Sequence, residues 1–380
     1  MGRDDGESTM LFEPLMVGES APARSGLNDL ALDLARRAAE FRSALPASVV
    51  APLADLIRAM NCYYSNLIEG HDTHPVDIER ALRREYSTDS RQRDLQLEAV
   101  AHITVQEWID SGGLVEDPTS PTAVREIHRR FCERLPDDLL RVKLESTGEW
   151  LPVVPGGYRT RDVEIGRHVC ISPGAVPRFL DRLDEACRIA RGSSVGSILS
   201  AASAHHRLLW VHPFLDGNGR VARMMSHAML RGSLRTGGLW SVSRGLARNE
   251  SRYKERLQAC DEPRRGDRDG RGSLSESALA DFTTFFLEVC LDQINFMEDL
   301  MRPDRLRDRI LVWAGEEIHG GRLPPKSDAV LRAVLYRGAL ERGEITEIVG
   351  ASERTARRVT SALIGVGALT APGTALDIGS

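Results

Sequence analysis

The sequence predicts a mostly α-helical protein with one small β-hairpin and a C-terminal helix-turn-helix that ends in a strand-pair wing. Three observations lead there. Apolar residues recur at intervals of three and four over most of the chain, the spacing that lines one face of a helix. Aromatic residues are only 5% of the chain against 42% hydrophobic residues, which suits helices packed through Leu, Ala and Val rather than a β-sandwich. The periodicity breaks in two places. One is a stretch rich in glycine and proline, Gly148 to Pro173; the other is near the C-terminus, where a short helix, a glycine turn and a basic helix lead into strand-like residues.

Residues 1–26 read as loosely ordered. Asn28 is the expected N-cap of a helix to Arg42, with Leu30, Leu32, Leu34, Ala38 and Phe41 as its apolar set. Ala47 to Leu67 is a second helix, through Val50, Leu53, Leu56, Ile57, Met60, Tyr64 and Leu67. Shorter and longer helices are expected over Thr73–Arg84, Gln92–Ser111 and Thr122–Leu135, with a linker at residues 112–121. His128, on the last of these, reads as a packing or surface histidine. Short β-type runs, Trp150–Val154 and Arg167–Ile171, follow. Further helices are expected over Gly174–Arg191, Ser197–Val211, Val221–Leu230, Ser243–Cys260 and Leu279–Met301, with a charged, mobile loop at Pro263–Gly272.

A chain of 380 residues has room for two or three domains. The divisions expected are 1–120, 121–303 and 304–380. A net charge of −5 gives no overall electrostatic reason to bind nucleic acid. The basic residues are nearly all arginine; the lysines are Lys143, Lys254 and Lys326. Six cysteines are scattered with no C-x-x-C pair, so reduced thiols and a cytoplasmic location are expected. The acidic start MGRDDGEST does not read as a signal peptide, and no apolar run reaches membrane-spanning length.

The densest chemistry lies in His212-Pro213-Phe214-Leu215-Asp216-Gly217-Asn218-Gly219-Arg220-Val221-Ala222-Arg223. Pro213 and the Gly-Asn-Gly triplet make a loop that feeds the start of a helix. Free backbone N–H groups and the positive end of the helix dipole converge there, which suits an anion. Glycine lets the backbone approach a phosphate closely. Arg220 and Arg223, three apart, sit near one face of the first turn and can clamp phosphate groups. Asp216 is a hard oxygen ligand that suits Mg2+. His212 can take a proton at neutral pH. Together these parts describe nucleotide phosphate chemistry with a histidine base.

This stretch closely resembles the signature of the Fic family, His-x-Phe-x-Asp/Glu-Gly-Asn-Gly-Arg-x-x-Arg, and every fixed position matches. The resemblance implies a Fic-type helical bundle and transfer of AMP from ATP to a protein hydroxyl. It implies His212 as the base, Phe214 as a buried anchor and Asp216 as the Mg2+ ligand. Gly217, Asn218 and Gly219 would form the anion hole, and Arg220 and Arg223 would bind phosphates. The segment Tyr158–Ile171 resembles the family's flap, a hairpin that holds the target protein by strand addition. Asn249 and Tyr253, one turn apart, would border the adenine. His205 and His206, just before the motif, read as packing residues rather than a metal site with His212.

Ser65-Asn66-Leu67-Ile68-Glu69-Gly70 taken alone is a helix end with a glycine cap, where a carboxylate faces the wrong end of the dipole. It also resembles the family's inhibitory motif, Ser/Thr-x-x-x-Glu-Gly/Asn, through Ser65, Glu69 and Gly70. The implied role of Glu69 is an ion pair with Arg223 that keeps the γ-phosphate out, leaving the enzyme nearly silent. A variant of this reading keeps the site and reverses the chemistry, with Glu69 positioning a water that removes AMP.

In the C-terminal region Ser327 is expected to cap a helix to Leu340. A short helix from Glu344 to Val349 ends at Gly350, and Ser352 caps a third that carries Arg354, Arg357 and Arg358. The unit resembles winged-helix domains of bacterial regulators. Residues 326–380 hold seven Lys/Arg against six Asp/Glu, a thin balance for phosphate contact. That balance favours a dimerising role, so a homodimer is expected, with DNA binding through the three arginines as the alternative.

Overall fold

The computed structural model describes residues 2–143, 148–235, 238–370 and 375–378. The chain forms two compact units, Met1–Pro46 with Leu53–Ile294, and Ala47–Pro52 with Asn295–Ser380. Residues 1–46 and 53–120 fall in the same unit as residues 121–294.

The first unit runs through α1 (Arg24–Ala44), α2 (Ala47–Ile68), α3 (Pro75–Leu82), α4 (Ser90–Asp110) and α5 (Pro121–Cys132). The strands β1 (Arg141–Lys143), β2 (Trp150–Pro152), β3 (Glu164–Ile165) and β4 (His168–Val169) come next. Then follow α6 (Val176–Ala190), α7 (Ser194–Val211), α8 (Asn218–Leu234), α9 (Val242–Arg248), α10 (Glu250–Ala259) and α11 (Glu276–Met301). α2 and α11 reach into the second unit at one end each. α7 is the hub. Its small residues, Ala201, Ala202 and Ala204, are fully buried, and it packs on α8, α6 and α1. A helix buried all round needs this composition, because no face can be given to water.

The N-terminal segment is ordered, contrary to expectation. Phe12 is fully buried, its ring 4.9 Å from Phe179 and 5.7 Å from Trp210. Glu7 accepts hydrogen bonds from the N–H and hydroxyl of Ser172, and Arg182 pairs with Glu13. One aromatic and a few charges thus strap a polar tail to α6 and α7. α1 starts earlier than expected, at Arg24. Asn28 lies inside it and accepts from Arg24 Nε rather than capping, and Leu27 and Ala31 are buried while Leu32 is exposed.

The two β-type runs do not pair with each other. Trp150–Pro152 pairs with Arg141–Lys143, and Glu164–Ile165 makes its own hairpin with His168–Val169, turning at Gly166 with φ +61°. The expected helix 243–260 is broken at Asn249, whose φ of −120° interrupts the helical ladder. The loop 263–275 is tied down: Asp269 accepts from the N–H groups of Arg265 and Ser277. All six cysteines are free and buried. Among the described residues no helix is long and apolar enough to cross a membrane.

The second unit contains α12 (Pro303–His319), α13 (Ser327–Arg337), β5 (Ala339–Glu341), α14 (Ile345–Val349), α15 (Glu353–Gly365), β6 (Leu369–Thr370) and β7 (Ala375–Ile378). The strands form an antiparallel sheet in the order β5-β7-β6. Val330, Val334, Leu340, Ile345, Val359 and Leu363 make a core of its own. Ser327 is not a cap. Lys326 holds the capping position, and the Ser327 hydroxyl donates to Pro324 O. Leu340 belongs to β5, not to the helix. Ser352 caps α15 as expected, through Thr355 N–H. Parts of the expected strand-like tail, residues 371–374 and 379–380, lie outside the described residues.

Candidate active site

α7 stops at Val211 because His212 takes the left-handed conformation, φ 48°. That costs a residue with a Cβ on the order of 1 kcal/mol, so the neighbours must hold it. His212 N–H donates to Leu208 O at 3.0 Å. Its Nδ1 lies 3.3 Å from Leu209 O; a carbonyl only accepts, so Nδ1 carries the proton and Nε2 keeps its lone pair. Burial pushes the imidazole pKa down to about 4, so the ring is neutral at pH 7.

The loop after it is braced from inside. Phe214 is fully buried and stacks on His128, centroids 3.8 Å apart and planes 2° apart. His128 Nε2 donates to Asp216 O at 3.1 Å, and its Nδ1 accepts from Gly156 N–H at 2.9 Å. The packing role expected of His128 is thus specific: it holds the motif loop. The Asn218 side chain closes the same loop, its Oδ1 accepting from Phe214 N–H and its Nδ2 donating to Phe214 O, both at 2.9 Å. That narrows what Asn218 can offer an anion to its backbone N–H. Its amide is spent on the loop, so only backbone N–H groups are left to form an anion hole. Those are at the start of α8, which follows Gly217 at φ +82° and has no side-chain cap.

Arg223 is buried and held through its Nε and Nη2. Its Nε donates to Ser65 Oγ at 2.8 Å, and its Nη2 donates to Ser65 O at 3.2 Å and to Glu69 Oε1. Burial alone would raise the Glu69 pKa; Arg223, with help from Arg220, outweighs it and holds it below the ordinary value. Glu69 closes α2 ahead of Gly70, φ +82°, with His71 N–H bonded back to Asn66 O and Gly70 N–H to Leu67 O. This glycine-terminated end fixes where the carboxylate points. Gly219 makes room for it, since a Cβ there would stand 2.3 Å from Glu69 Oε1.

Arg220 pairs with buried Glu98 at 2.7 Å, and the other Glu98 oxygen holds His71 Nδ1 at 2.7 Å. Glu98 was not legible as a site residue, because it sits on the apolar-looking α4 with no local signal. Asp216 is about half exposed, with Oδ1 on Gly217 N–H at 2.6 Å and Oδ2 3.8 Å from Arg220. Among the described residues no group of three or more His, Cys, Asp or Glu forms a self-sufficient metal site. Asp216 therefore fits a hard cation only as one ligand completed by phosphate oxygens and water.

A cavity of about 370 Å³ joins these parts; Glu69, His212, Gly219, Arg223 and Tyr253 line it, as does Ile165 of β3. Tyr253 is buried and its hydroxyl lies 2.6 Å from His205 Nε2, whose Nδ1 lies 2.9 Å from Ser226 Oγ. His205 and His206 serve packing: His206 Nε2 meets Leu257 O and Asp261. Asn249 does not line the cavity. It sits at the break between α9 and α10 and donates to Gly245 O.

Residues 118–230 match the model of the Fic/DOC family, and the chain carries a Fic/DOC domain there. A protein adenylyltransferase Fic of Drosophila persimilis is 25% identical over 168 residues, 44% of this chain and 30% of that protein. The like-named protein of Drosophila virilis matches to the same degree over 32% of its length. The chain thus spans about a third of the length of these relatives. Among solved structures, a Fic family protein from Desulfovibrio desulfuricans superposes with a TM-score of 0.55 at 14% identity, covering 96% of this chain and 98% of that one. Fic-1 from C. elegans superposes with a TM-score of 0.53 at 17% identity, covering 74% and 77%. These similarities establish the fold.

Proposed function

From a chain that carries a Fic/DOC domain, we infer a protein adenylyltransferase that transfers AMP from ATP to a Tyr, Thr or Ser hydroxyl and is held silent by its own Glu69. The observation that carries this reading is the Glu69–Arg223 pair inside the cavity that His212 lines. His212 Nε2 takes the proton of the target hydroxyl. The freed oxygen attacks the α-phosphorus, the bond to the bridging β-oxygen breaks, and pyrophosphate leaves. The N–H groups at the start of α8 offset charge on the transferring group. Asp216 would hold Mg2+ together with the phosphates, and the ion would neutralise charge on them. The exposed β3–β4 hairpin supports a flap role, with the target laid along it as an added strand.

Glu69 and a γ-phosphate compete for Arg223. With the carboxylate in place, ATP enters with its phosphates misaligned for in-line attack. The test is labelled ATP with wild type, Glu69→Gly and His212→Ala. Labelling of lysate proteins, or of the chain itself, should rise about tenfold or more in Glu69→Gly, the factor that 1.4 kcal/mol supplies. No label in either form would sink the transferase.

Because Glu69 and His212 share one cavity, removal of AMP from a modified protein is the second reading. Glu69→Gly should then abolish hydrolysis. In the second unit Arg354, Arg357 and Arg358 are exposed on α15, with Arg357 paired to Glu353. DNA is their proposed partner, to be tested by mobility shift. A cytoplasmic location is proposed on the six free thiols.

A further inference from the structure

We propose that Arg159 is a positioning residue that locks the reacting histidine to both ends of the flap. The proposal rests on the transferase reading for its kinetic consequence, but not for its geometry. Arg159 lies in the loop between β2 and β3 and is only 3% exposed. Its guanidinium bonds go to four backbone carbonyls. Nε donates to His212 O at 2.8 Å, Nη1 to Arg161 O at 3.0 Å, and Nη2 to Ile171 O at 2.5 Å and Val211 O at 3.4 Å. Its own N–H donates to Pro213 O at 2.9 Å.

These acceptors fall into two sets. Val211 and His212 are at the C-terminal end of α7, where carbonyls lack helical partners and carry the negative end of the dipole. A buried cation is favoured there without a carboxylate. Arg161 and Ile171 bracket the β3–β4 hairpin at residues 164–169, one on each side. A single planar group therefore fixes where the flap begins, where it ends and where His212 leaves its helix. His168 of β4 adds a second tie, its Nε2 2.8 Å from Trp210 O.

The chemistry makes the coupling matter. The flap presents the hydroxyl and His212 removes its proton, so their separation must be held to a tolerance of less than about 1 Å. Arg159 does not line the nucleotide cavity, so it acts on His212 rather than on ATP. A lysine cannot replace it: an ammonium keeps the charge but its donors diverge from one point, whereas the guanidinium is a rigid planar fork.

The test uses the full chain with Arg159→Lys and Arg159→Gln. In the Glu69→Gly background, kcat for labelling should fall about tenfold or more in Arg159→Lys while KM for ATP stays within about twofold. A parallel rise in KM for ATP, or an unchanged kcat, would overturn the proposal. A second readout needs no activity. With ring-labelled histidine, the His212 signal is assigned by its loss in His212→Ala. It should shift or broaden in both Arg159 variants while the signals of buried His102 and His205 stay put. An unmoved His212 signal refutes the coupling even if Glu69→Gly never labels anything, whereas a moved signal with a silent Glu69→Gly faults the transferase reading alone. Should both variants fail to fold, hydrogen exchange in the unsubstituted chain decides. The Arg159 Nε–H should be strongly protected, and exchange at the rate of a solvated guanidinium would end the proposal.

Discussion

At the residue scale, the histidines show how burial sets chemistry. His212 holds its Nδ1 proton on Leu209 O and its pKa is down at about 4. It is a base already deprotonated across the neutral range. The acid limb of kcat in Glu69→Gly should therefore have its midpoint near 4, not near the 6.5 of a free imidazole. A pH–rate profile from pH 8 downward, taken only where a melt at the same pH shows the chain folded, checks this; a midpoint at 6 or above in folded protein would mean that the ring is solvated. The motif residues themselves were legible, because their chemistry is packed into twelve consecutive positions. Arg159 and Glu98 were not, and of His128 only a packing role was, not the loop it packs against. Each acts by reaching a loop or an arginine far along the chain, and nothing in its own neighbourhood of sequence marks it. Asn218 was legible as a member of the motif but not in its role, since only coordinates show the amide spent on Phe214.

At the element scale, helix existence followed from apolar spacing, while helix ends and breaks followed from local bonds that spacing does not report. The end of α2 was legible because Gly70 marks it. The start of α1 and the break at Asn249 were not. The N-terminal segment is the clearest case. Its polar, acidic composition reads as loose chain, yet Phe12 is enclosed by Phe179 and Trp210. Truncation of a fully buried phenylalanine costs about 3–5 kcal/mol. In a domain of this size Phe12→Ala should lower Tm by roughly 10 °C. A loose tail would leave Tm unchanged, so one thermal melt separates the two descriptions. Trp210 also lines the cavity, so loss of activity should accompany the loss of stability.

At the scale of the whole molecule, the first unit buries neutral histidines that its unfolded chain would protonate. His102 and His205 sit at about 3 and His128 at about 4, all driven down by burial from 6.5. Below pH 6.5 the unfolded state binds protons that the folded state refuses, so stability falls as pH falls. At pH 5 each histidine costs about 2 kcal/mol, against a total of about 5–15 kcal/mol for a domain. Tm should drop steeply between pH 6.5 and 5. Glu69 cannot cause that drop: its lowered pKa contributes stability that is lost only as pH falls below 4.5. A melt series that stays flat from pH 7 to 5 would contradict the buried, neutral state of these rings.

The six sulfurs carry a last consequence. All are shut inside residues 1–294, and burial lifts Cys132, Cys170, Cys187 and Cys260 to about 12. A thiol so placed is inert to an alkylating probe until its surroundings open. The second unit holds no cysteine. Maleimide uptake is therefore a stopwatch for the opening of the first unit, with every reporting sulfur inside it.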